Sequence, residues 1–561
     1  MSKLIVLLMA LVLLLSGHAI AQATEVEGLQ HDVLVLFTSD VHCGIDQNFG
    51  YAGLQAVRDA AVAAGDHVLL VDDGDSIQGE PIGILTRGEA IIGLMNGIGY
   101  DAAIPGNHEF DYGMEQFLKL ADMAKFPYIS CNFARNGELV LDPYIIRAYD
   151  GVKIAFVGVT TPKTLTTSSS SHFKDEDGNF IYGFSQGGDG SALYAAVQQA
   201  VDAARAEGAD YVFLMAHLGN EASVAPYTYA DVLSHTTGID AMLDGHSHDS
   251  DKVIMKNAGG KNVIRQACGT KLESIGWLRI SAADGSVDTG LYTWNNDVPA
   301  PELLGIWNGM RSEVAAASAV VDAYSSTVIA VSNVDLMSED PVAVDASGKP
   351  VRLVRCAETN LGDLCADAFR DQTGADVGLA NGGSIRRGIP RGDITMAGIM
   401  GTYPFGNRIC VIEATGRQIL NALEYAVSDV PSENGAFLQA SGLTYEIHTY
   451  IDSGAIRDDD GMYIGVRGEY RVKNVLVNGE PLDLEKKYTV ATQTYTGLDH
   501  GDGTTAFDGA KLIGKTEQTD YELVANYIVN TLGGIVGEGY ENPYGSGRIV
   551  AVEEPAKTPK L

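Results

Sequence analysis

Polar side chains suited to binding metal ions follow five apolar runs in the first half of the sequence. In chain order they lie in Thr38-Ser39-Asp40-Val41-His42, Asp72-Asp73-Gly74-Asp75, Gly106-Asn107-His108-Glu109-Phe110-Asp111, His217-Leu218-Gly219 and Asp244-Gly245-His246-Ser247-His248. The candidate donors are Asp40, His42, Asp75, Asn107, His217, His246 and His248. Oxygen and imidazole donors without a thiolate suit borderline divalent ions such as Zn, Mn, Co or Fe. Seven donors exceed the needs of one ion and fit two ions that share a carboxylate, an arrangement that recurs in phosphate ester hydrolysis.

The apolar runs before these motifs predict the elements that position them. They are Val33–Phe37, Val68–Val71, the weaker Ala102–Ile104, Val212–Ala216 and Ile239–Leu243. Short continuous runs that alternate with helical stretches are typical of buried strands covered by helices. Because ligands bind beyond the carboxyl ends of strands in open α/β sheets, we expect the seven donors to meet at one place. Each motif alone also fits a structural role, such as a hydrogen-bonded core histidine, but the ordered series of five is specific.

The composition indicates an ordinary globular protein. The chain has 561 residues, of which 45% are hydrophobic and 20% charged, and a formal net charge of −35 at pH 7. This mixture excludes a disordered, collagen-like or coiled-coil chain. Such an acidic surface disfavours nonspecific binding to nucleic acid or anionic lipid, so we expect no nucleic acid polymer as a partner.

The first residues predict an export signal. Lys3 precedes the apolar run Leu4–Leu15, and Ala21-Gln22-Ala23 provides the small-x-small pattern of a cleavage site. The run is too short to span a bilayer comfortably. We therefore expect residues 1–23 to be removed, and the mature protein to be exported to a periplasm or the medium without a stable membrane anchor.

A change in the pattern of apolar runs and turns near residue 300 predicts two domains. Residues 24–300 show the α/β pattern, and 341–552 form a second region with Gly-rich turns. Between them, 301–340 read as a linker helix and hinge, because Leu303, Ile306, Trp307, Met310 and Val314 recur at helical spacing. Residues 553–561 form a polar tail. The Ser168–Ser171 run reads as a surface loop.

The six cysteines form no CxxC pair, which argues against a thiolate zinc site or a redox motif. Export permits disulfides, and buried free thiols are equally consistent with the sequence.

The motifs of the first region resemble those of the calcineurin-like metallophosphoesterases, and the whole chain resembles the exported 5′-nucleotidase family. That resemblance implies an α/β fold in which an N-terminal αββα sandwich is joined through a linker helix to a C-terminal α/β substrate-binding domain. It assigns the ligands Asp40, His42, Asp75 and His248 to one metal ion, and Asp75, Asn107, His217 and His246 to the other. Asp75 is then the bridge, and His248 stands where the family varies among Gln, Asn and His. The cofactors implied are two divalent ions, Zn, Mn or similar.

His108 and Asp111 match the catalytic His–Asp pair of the family. A phosphoryl transition state and its leaving group gather negative charge, which a histidine held by a carboxylate can stabilise or protonate. Glu109, between these residues, reads as structural or as a support for the ligands.

Four motifs of the second region resemble the substrate site of the same family. They are Arg355-Cys356-Ala357-Glu358-Thr359-Asn360-Leu361-Gly362, Asn381-Gly382-Gly383-Ser384-Ile385-Arg386, Pro404-Phe405-Gly406-Asn407 and Gly501-Asp502-Gly503. The resemblance implies that Arg355 and Arg386 contact phosphate, Asn381 contacts the base, Phe405 stacks on it and Asp502 holds the ribose hydroxyls. The second aromatic of the family corresponds best to Tyr495, one residue further upstream than the usual spacing. Arg352 and Arg408 are further candidates for phosphate contacts.

The sequence therefore predicts a two-metal 5′-nucleotidase that cleaves nucleoside 5′-monophosphates, with the nucleotide as its small-molecule partner. One alternative is a 2′,3′-cyclic-nucleotide 2′-phosphodiesterase with 3′-nucleotidase activity, and Asp111 and Pro404-Phe405-Gly406 argue against it. UDP-sugar hydrolysis is a second alternative. A secreted nucleotide-binding or adhesin protein without catalysis is a third, which the intact ligand set disfavours.

Overall fold

The computed structural model describes residues 28–175, 177–185, 187–221, 224–294, 311–325, 327–344, 350–458 and 461–553. The predicted signal peptide, the predicted start of the linker helix near Pro301, and the predicted tail beyond residue 553 lie outside these ranges.

Fourteen described strands and seven described helices form the first region. The strands are β1 (Val33–Thr38), β2 (His67–Asp72), β3 (Ala102–Ala103), β4 (Phe133–Arg135), β5 (Glu138–Leu139), β6 (Tyr144–Tyr149), β7 (Val152–Thr160), β8 (Tyr182–Phe184), β9 (Tyr211–His217), β10 (Ala241–Asp244), β11 (Lys252–Lys256), β12 (Asn262–Ala267), β13 (Ser274–Ile280) and β14 (Val287–Thr293). The helices are α1 (Gly50–Ala64), α2 (Pro81–Thr86), α3 (Glu89–Ile98), α4 (Met114–Met123), α5 (Thr164–Thr167), α6 (Ser191–Ala206) and α7 (Tyr229–His235).

Two mixed sheets stack face to face in this region. One has the order β14-β13-β1-β2-β3, and the other has the order β11-β12-β10-β9-β7-β6. Strands β1, β2 and β3 run parallel, as do β7, β9, β10 and β12. The carboxyl ends of β1 to β3 and of β9 and β10 lead into the five polar motifs, so each sheet contributes strand ends to the site.

Alternation along β1 shows how the layers form. Val33, Val35 and Phe37 pack in a core that also contains Phe156 and Phe213 of the other sheet. The residues between them, such as Leu34 and Leu36, pack instead with residues of α1 and α3 on the outer face. Because successive strand residues point to opposite faces, one continuously apolar strand serves two buried layers. On the far side, α6 and α7 cover the second sheet, which completes an αββα sandwich.

A strand, β15, lies inside the stretch predicted as linker and adds to a sheet of the second region. After helix α8 (Arg311–Ser325) come β15 (Val328–Ser332), α9 (Asn360–Thr373), β16 (Val377–Asn381), β17 (Gly392–Thr395), α10 (Met396–Thr402), β18 (Arg408–Thr415), α11 (Gly416–Ala426), β19 (Leu438–Ser441), β20 (Leu443–His448), β21 (Ala455–Arg457), β22 (Tyr463–Val466), β23 (Val472–Val477), β24 (Glu480–Pro481), β25 (Lys487–Gln493), α12 (Thr494–Gly497), β26 (Lys511–Thr519), α13 (Asp520–Asn526), β27 (Ile535–Val536) and β28 (Ile549–Val552). Strand β15 pairs with β17 and β27. These partners lie more than 50 residues away in the chain, so the local pattern did not reveal the strand.

The main sheet of the second region has the order β19-β16-β25-β18-β26, beside a smaller sheet ordered β24-β23-β20-β28. Helix α8 packs with the first region, where Val314 is buried in the core under α1 and α3. The observed architecture is thus a two-part α/β fold, in agreement with the sequence prediction.

All six cysteines are free thiols, and five of them are buried. Among the described residues, no helix has the length and apolar character needed to cross a bilayer.

Candidate metal centre

Six of the seven predicted donors form two compact groups where the strand ends meet. Asp40, His42 and His248 form one group, and Asp75, His217 and His246 form the other. Within each group, one ligand atom per residue lies within 4.8 Å of the others. The seventh donor, Asn107, lies against the second group.

In the first group, His42 Nε2 lies 3.0 Å from His248 Nε2. His248 Nε2 in turn lies 3.5 Å from Asp40 Oδ1. Two imidazole nitrogens and a carboxylate oxygen that face one another form the donor set of a borderline divalent ion.

In the second group, Asn107 Oδ1 lies 2.9 Å from His246 Nδ1 and 3.2 Å from His217 Nε2. Asp75 Oδ2 lies 3.1 Å from His217 Nε2 and 3.9 Å from His42 Nε2 of the first group. One oxygen of Asp75 thus faces both groups, which is the geometry that a bridging carboxylate requires.

Backbone carbonyls orient two of the ligand imidazoles. His42 Nδ1 lies 2.8 Å from the carbonyl of Gln78, and His217 Nδ1 lies 2.8 Å from that of Asp73. A carbonyl oxygen only accepts, so each Nδ1 carries the proton and donates it. Nε2 of each ring is therefore the atom that faces the cluster, as in protein metal sites where a bond to the other ring nitrogen orients the imidazole.

The loops reach this geometry with unusual backbone angles. Five of the seven predicted ligands have a positive φ: Asp40 (51°), His42 (46°), Asp75 (60°), His246 (80°) and His248 (54°). Positive φ is uncommon for residues with a Cβ and is concentrated at functional sites. Close packing adds a further constraint, because a Cβ at Gly106 would overlap Asp75 Oδ1.

The electrostatics favour a cation. Burial lowers the pKa of His42 to about 3 and that of His246 to about 4, so both rings are neutral and can act as ligands at pH 7. Burial also raises the pKa of Asp40 to about 8. Burial lowers the pKa of His217, but Asp75 and Asp40 outweigh it and raise that pKa to about 10. A divalent ion can replace the proton that His217 shares with these carboxylates, so the donor set fits two such ions.

The predicted catalytic pair lies beside the metal ligands. His108 Nδ1 lies 2.5 Å from Asp111 Oδ2, and the side chains are 9% and 7% exposed. The backbone N–H of His108 donates to Asp75 Oδ1 at 2.8 Å, which ties the pair to the bridging carboxylate. Ser168 Oγ donates to the other Asp111 oxygen at 3.0 Å.

Ser168 corrects the interpretation of the Ser168–Ser171 run as a surface loop. Ser168 and Ser170 are fully buried, and only Ser171 is exposed. Two of the four hydroxyls have specific partners, since Ser168 donates to Asp111 and Ser170 to the Asp499 carbonyl, whereas sequence composition alone associates such a run with solvent.

Glu109 supports the ligand loops. Its Oε2 accepts the backbone N–H of Asp75 at 2.8 Å and that of Gly106 at 2.7 Å, and its Oε1 accepts that of Ser76 at 2.8 Å. One carboxylate thus joins the loop after β2 to the loop after β3, as the structural interpretation of Glu109 expected.

Sequence reasoning missed the pair Asp244 and Arg265. Asp244 Oδ1 accepts the backbone N–H of Leu218 at 3.0 Å, which joins the loop after β9 to the end of β10. Arg265 Nε and an amino group donate to Asp244 Oδ2 at 3.0 and 2.8 Å, and both side chains are fully buried. The signal available in the sequence was an arginine inside the apolar run of β12.

The six predicted substrate residues lie together in the second region. Asn381 Nδ2 donates to Asp502 Oδ2 at 3.0 Å, and the backbone N–H of Asp502 donates to the Tyr495 hydroxyl at 3.0 Å. The Phe405 ring lies 5.6 Å from the His108 ring and 5.7 Å from the Arg386 guanidinium carbon. This set therefore faces the metal ligands across the boundary between the two regions.

Arg355 and Arg386 form a cationic site. Burial lowers the pKa of Arg355, and the neighbouring Arg352 and Arg386 lower it further. Arg355 Nε is buried and has no hydrogen-bond partner among the described residues. Crowded, under-paired guanidinium groups suit an anion such as a phosphate. By contrast, Arg352 pairs with Glu433 at 2.5 Å, and the half-exposed Arg408 pairs with Glu517 at 3.1 Å.

Comparisons with known proteins agree with this architecture. Residues 33–250 match the family model described as calcineurin-like phosphoesterase, and 328–509 match that described as 5′-nucleotidase, C-terminal domain. The chain is 27% identical to the trifunctional nucleotide phosphoesterase protein YfkN of Bacillus subtilis, with 94% of the chain aligned to 35% of YfkN. It thus spans about a third of the length of that relative.

Two full-length similarities accompany these matches. The chain is 26% identical to protein UshA of Escherichia coli, covering 89% of the chain and 91% of UshA. The solved structure of a 5′-nucleotidase precursor from Thermus thermophilus superposes with a TM-score of 0.73 at 26% identity, covering 93% of this chain and all of that one.

Proposed function

We propose that this chain, which belongs to the family that joins a calcineurin-like phosphoesterase domain to a 5′-nucleotidase C-terminal domain, cleaves nucleoside 5′-monophosphates to nucleoside and phosphate. Its membership makes it a metal-dependent phosphoesterase. The nucleotide specificity, the role of each residue and the domain boundaries 24–300 and 341–552 are part of the proposal.

The observation that carries the specificity is the position of Phe405. Its ring lies 5.6 Å from the His108 ring and 5.7 Å from the Arg386 guanidinium carbon, so it adjoins both the proposed catalytic histidine and the cationic site. A base that stacks on this platform gains about 1–3 kcal/mol. The phosphate, at the other end of the ribose from the base, can then reach the arginines and the metal ligands, whereas a substrate without a base leaves the platform unused.

Asp40, His42, His248 and Asp75 would hold one divalent ion, and Asp75, Asn107, His217 and His246 the other. When bound, two such ions would polarise the phosphate ester and lower the pKa of a water nucleophile.

The protein groups around the ions hold and neutralise the substrate. Arg355 and Arg386 bind the charge of the phosphate, and Asp502 accepts the ribose hydroxyls. His108, held through Nδ1 by Asp111, presents its other nitrogen to the phosphate oxygens and to the leaving alkoxide, which it protonates. The phosphate, the ribose and the base are thereby each bound by a different group of residues.

We also propose that the protein works outside the cytoplasm. The pattern of residues 1–23 supports export, and the free cysteines place no constraint on the compartment.

A substrate panel tests the proposal. Purified protein reconstituted with Mn²⁺ or Zn²⁺ is assayed for phosphate release from AMP, UMP, 3′-AMP and glycerol phosphate. Hydrolysis of 2′,3′-cyclic AMP and UDP-glucose is followed by chromatography of the monophosphates formed, because the first cleavage of these two compounds releases no free phosphate. We expect the highest kcat/KM for the 5′-monophosphates and a loss of about 10²–10⁴-fold in kcat for His108→Ala. A preference for 3′-AMP, the cyclic nucleotide or UDP-glucose would replace the assignment by the corresponding alternative, and equal rates in wild type and His108→Ala would reject the mechanism.

A further inference from the structure

Residues 164–173, here called the bridging segment, lie between the catalytic pair and the second region. The segment comprises helix α5 and the short helix Ser170–Phe173. It belongs to the first region by sequence. Its residues, however, form hydrogen bonds both with Asp111 of the catalytic pair and with residues of the second region.

On the catalytic side, Ser168 Oγ donates to Asp111 Oδ1 at 3.0 Å, and Asp111 Oδ2 faces His108 Nδ1 at 2.5 Å. The two oxygens of Asp111 are thus held by different partners. A carboxylate held at both oxygens cannot rotate about its Cβ–Cγ bond without losing one of them. Ser168 therefore fixes the plane of Asp111, and with it the orientation of the His108 ring.

On the other side, the second region binds the same segment at two points. The Tyr495 hydroxyl shares its single proton between the carbonyls of Thr166 and Thr167, at 3.1 and 3.2 Å, and it accepts the backbone N–H of Asp502. The Asp499 carbonyl accepts both the N–H of Ser170 at 3.1 Å and its hydroxyl at 2.9 Å. These contacts flank Ser168 in the sequence, so they determine where its hydroxyl lies.

We propose that Ser168 is a positioning residue for the His108–Asp111 pair, and that the Tyr495 hydroxyl holds Ser168 in place from the second region. The inference rests on the proposed phosphate ester hydrolysis. It gives Tyr495 a role that its ring alone does not have: the ring lies in the nucleotide site, while the hydroxyl links that site to the catalytic pair. The catalytic histidine is then aligned fully only when the second region is seated over the first.

The first test separates Ser168 from a general structural role. Ser168→Ala is expected to lower kcat for AMP about tenfold, a part of the 10²–10⁴-fold that an acid–base group contributes, with KM changed less than about twofold. In an Asp111→Ala background the same substitution is expected to lower kcat by less than about twofold, because its partner is gone. The control Ser169→Ala removes a neighbouring hydroxyl that bonds to Ser171 and should retain wild-type kcat.

A persistent tenfold loss in the Asp111→Ala background would overturn the assignment, since Ser168 would then act through another group. An unchanged kcat in Ser168→Ala would overturn it as well.

The second test concerns Tyr495. Tyr495→Phe keeps the ring and removes the hydroxyl, so KM for AMP should change less than about twofold while kcat falls about threefold. Combined with Ser168→Ala, it should add little further loss, because both act through one segment. Tyr450→Phe, an exposed tyrosine of the second region, is the matched control. Fully multiplicative losses of kcat in the double variant would reject the link between Tyr495 and Ser168.

The NMR signal of the His108 Nδ1 proton tests the role of Ser168 without depending on whether the protein cleaves AMP. In protein labelled with ¹⁵N-histidine, the His108 Nδ1 proton, identified by its loss in His108→Gln, should resonate far downfield. It should shift upfield in Ser168→Ala and in Tyr495→Phe, but not in Ser169→Ala. Wild type that shows these shifts without cleaving AMP would reject the proposed function alone, and active wild type without the shifts would reject the inference alone.

Discussion

Glu109 binds three backbone N–H groups of the two loops that carry Asp75 and Asn107. In Glu109→Gln, the amide keeps one acceptor oxygen, and its NH₂ group must face at least one of these donors. An unsatisfied buried N–H costs about 1–3 kcal/mol. We expect the affinity for divalent ions to fall about 10–100-fold, the usual effect of losing a support behind metal ligands. Competition with a chromophoric chelator measures it.

The matched control is Glu115→Gln, which changes an exposed glutamate in the first turn of α4. Equal metal affinity in the two variants would show that Glu109 does not hold the ligand loops.

Arg355 illustrates a conflict between stability and binding. Its charge is buried beside Arg352 and Arg386, which lowers its pKa and disfavours the folded state in which it is charged. Arg355→Met removes that penalty, so Tm should rise while KM for AMP increases about tenfold or more. Inorganic phosphate should raise the Tm of wild type and have a smaller effect on the variant.

The exposed Arg417→Met serves as control and should change neither quantity. A variant of Arg355 with lower Tm and unchanged KM would contradict the assignment of this arginine to the phosphate.

The buried pair of Asp244 and Arg265 holds the ends of β9 and β10 in register. Replacing one member leaves the other charge buried without its main partner, which costs about 3–5 kcal/mol. Arg265→Met should therefore lower the urea midpoint of the first region strongly and weaken metal binding through His217 and His246. Equilibrium unfolding in urea, followed by near-ultraviolet circular dichroism, measures the first effect.

A surface ion pair in the same part of the fold provides the comparison. Lys252 lies 2.6 Å from Asp288, whose side chain is 60% exposed. Pairs of this kind contribute about 0–1 kcal/mol, so Lys252→Met should shift the midpoint little. Comparable shifts in Lys252→Met and Arg265→Met would refute a special role for the buried pair.

The strands that carry the ligands were predictable, because a strand buried on both faces reads as a continuous apolar run. Val33–Phe37 and Val212–Ala216 both fall within observed strands. Strand β15 was not predictable, since its pairing partners are distant in the chain. The predicted donors could be named because their spacing after strand ends is specific, and the structure brings them together.

The supporting residues were harder to predict. Ser168 and Arg265 have types that normally favour solvent, and only the three-dimensional packing supplies the partners that bury them. Sequence patterns therefore pointed to the proposed metal and substrate ligands more readily than to the residues that hold those ligands in place.

Ion pairs and hydrogen bonds join the two regions around the site. Glu80 Oε1 lies 2.6 Å from Lys271 Nζ, and both residues belong to the first region. The same oxygen lies 2.6 Å from an amino group of Arg387, which belongs to the second region. Gln78 Nε2 donates to the Pro404 carbonyl at 3.2 Å, next to Phe405. The proposed nucleotide site is thus held against the proposed metal ligands by contacts that flank it.

Arg387→Met tests how much one such contact contributes. Because the arginine is 45% exposed and Glu80 keeps Lys271, the loss should be at most about 1 kcal/mol, so KM for AMP should rise less than about fivefold. The variant should also show a weaker dependence of KM on salt. Arg408→Met, whose partner Glu517 lies in the same region, is the control, and the same salt dependence in both variants would argue against a role in joining the regions.

The proposed hydrolysis requires that one chain hold two divalent ions around Asp75. Protein stripped with a chelator is titrated with Mn²⁺ or Zn²⁺, while bound metal and phosphate release from AMP are measured on the same samples. We expect activity to appear as the second ion binds and to level off at two ions per chain, with Asp75→Asn failing to reach that stoichiometry. Full activity in metal-free protein, or a plateau at one ion per chain, would contradict the account.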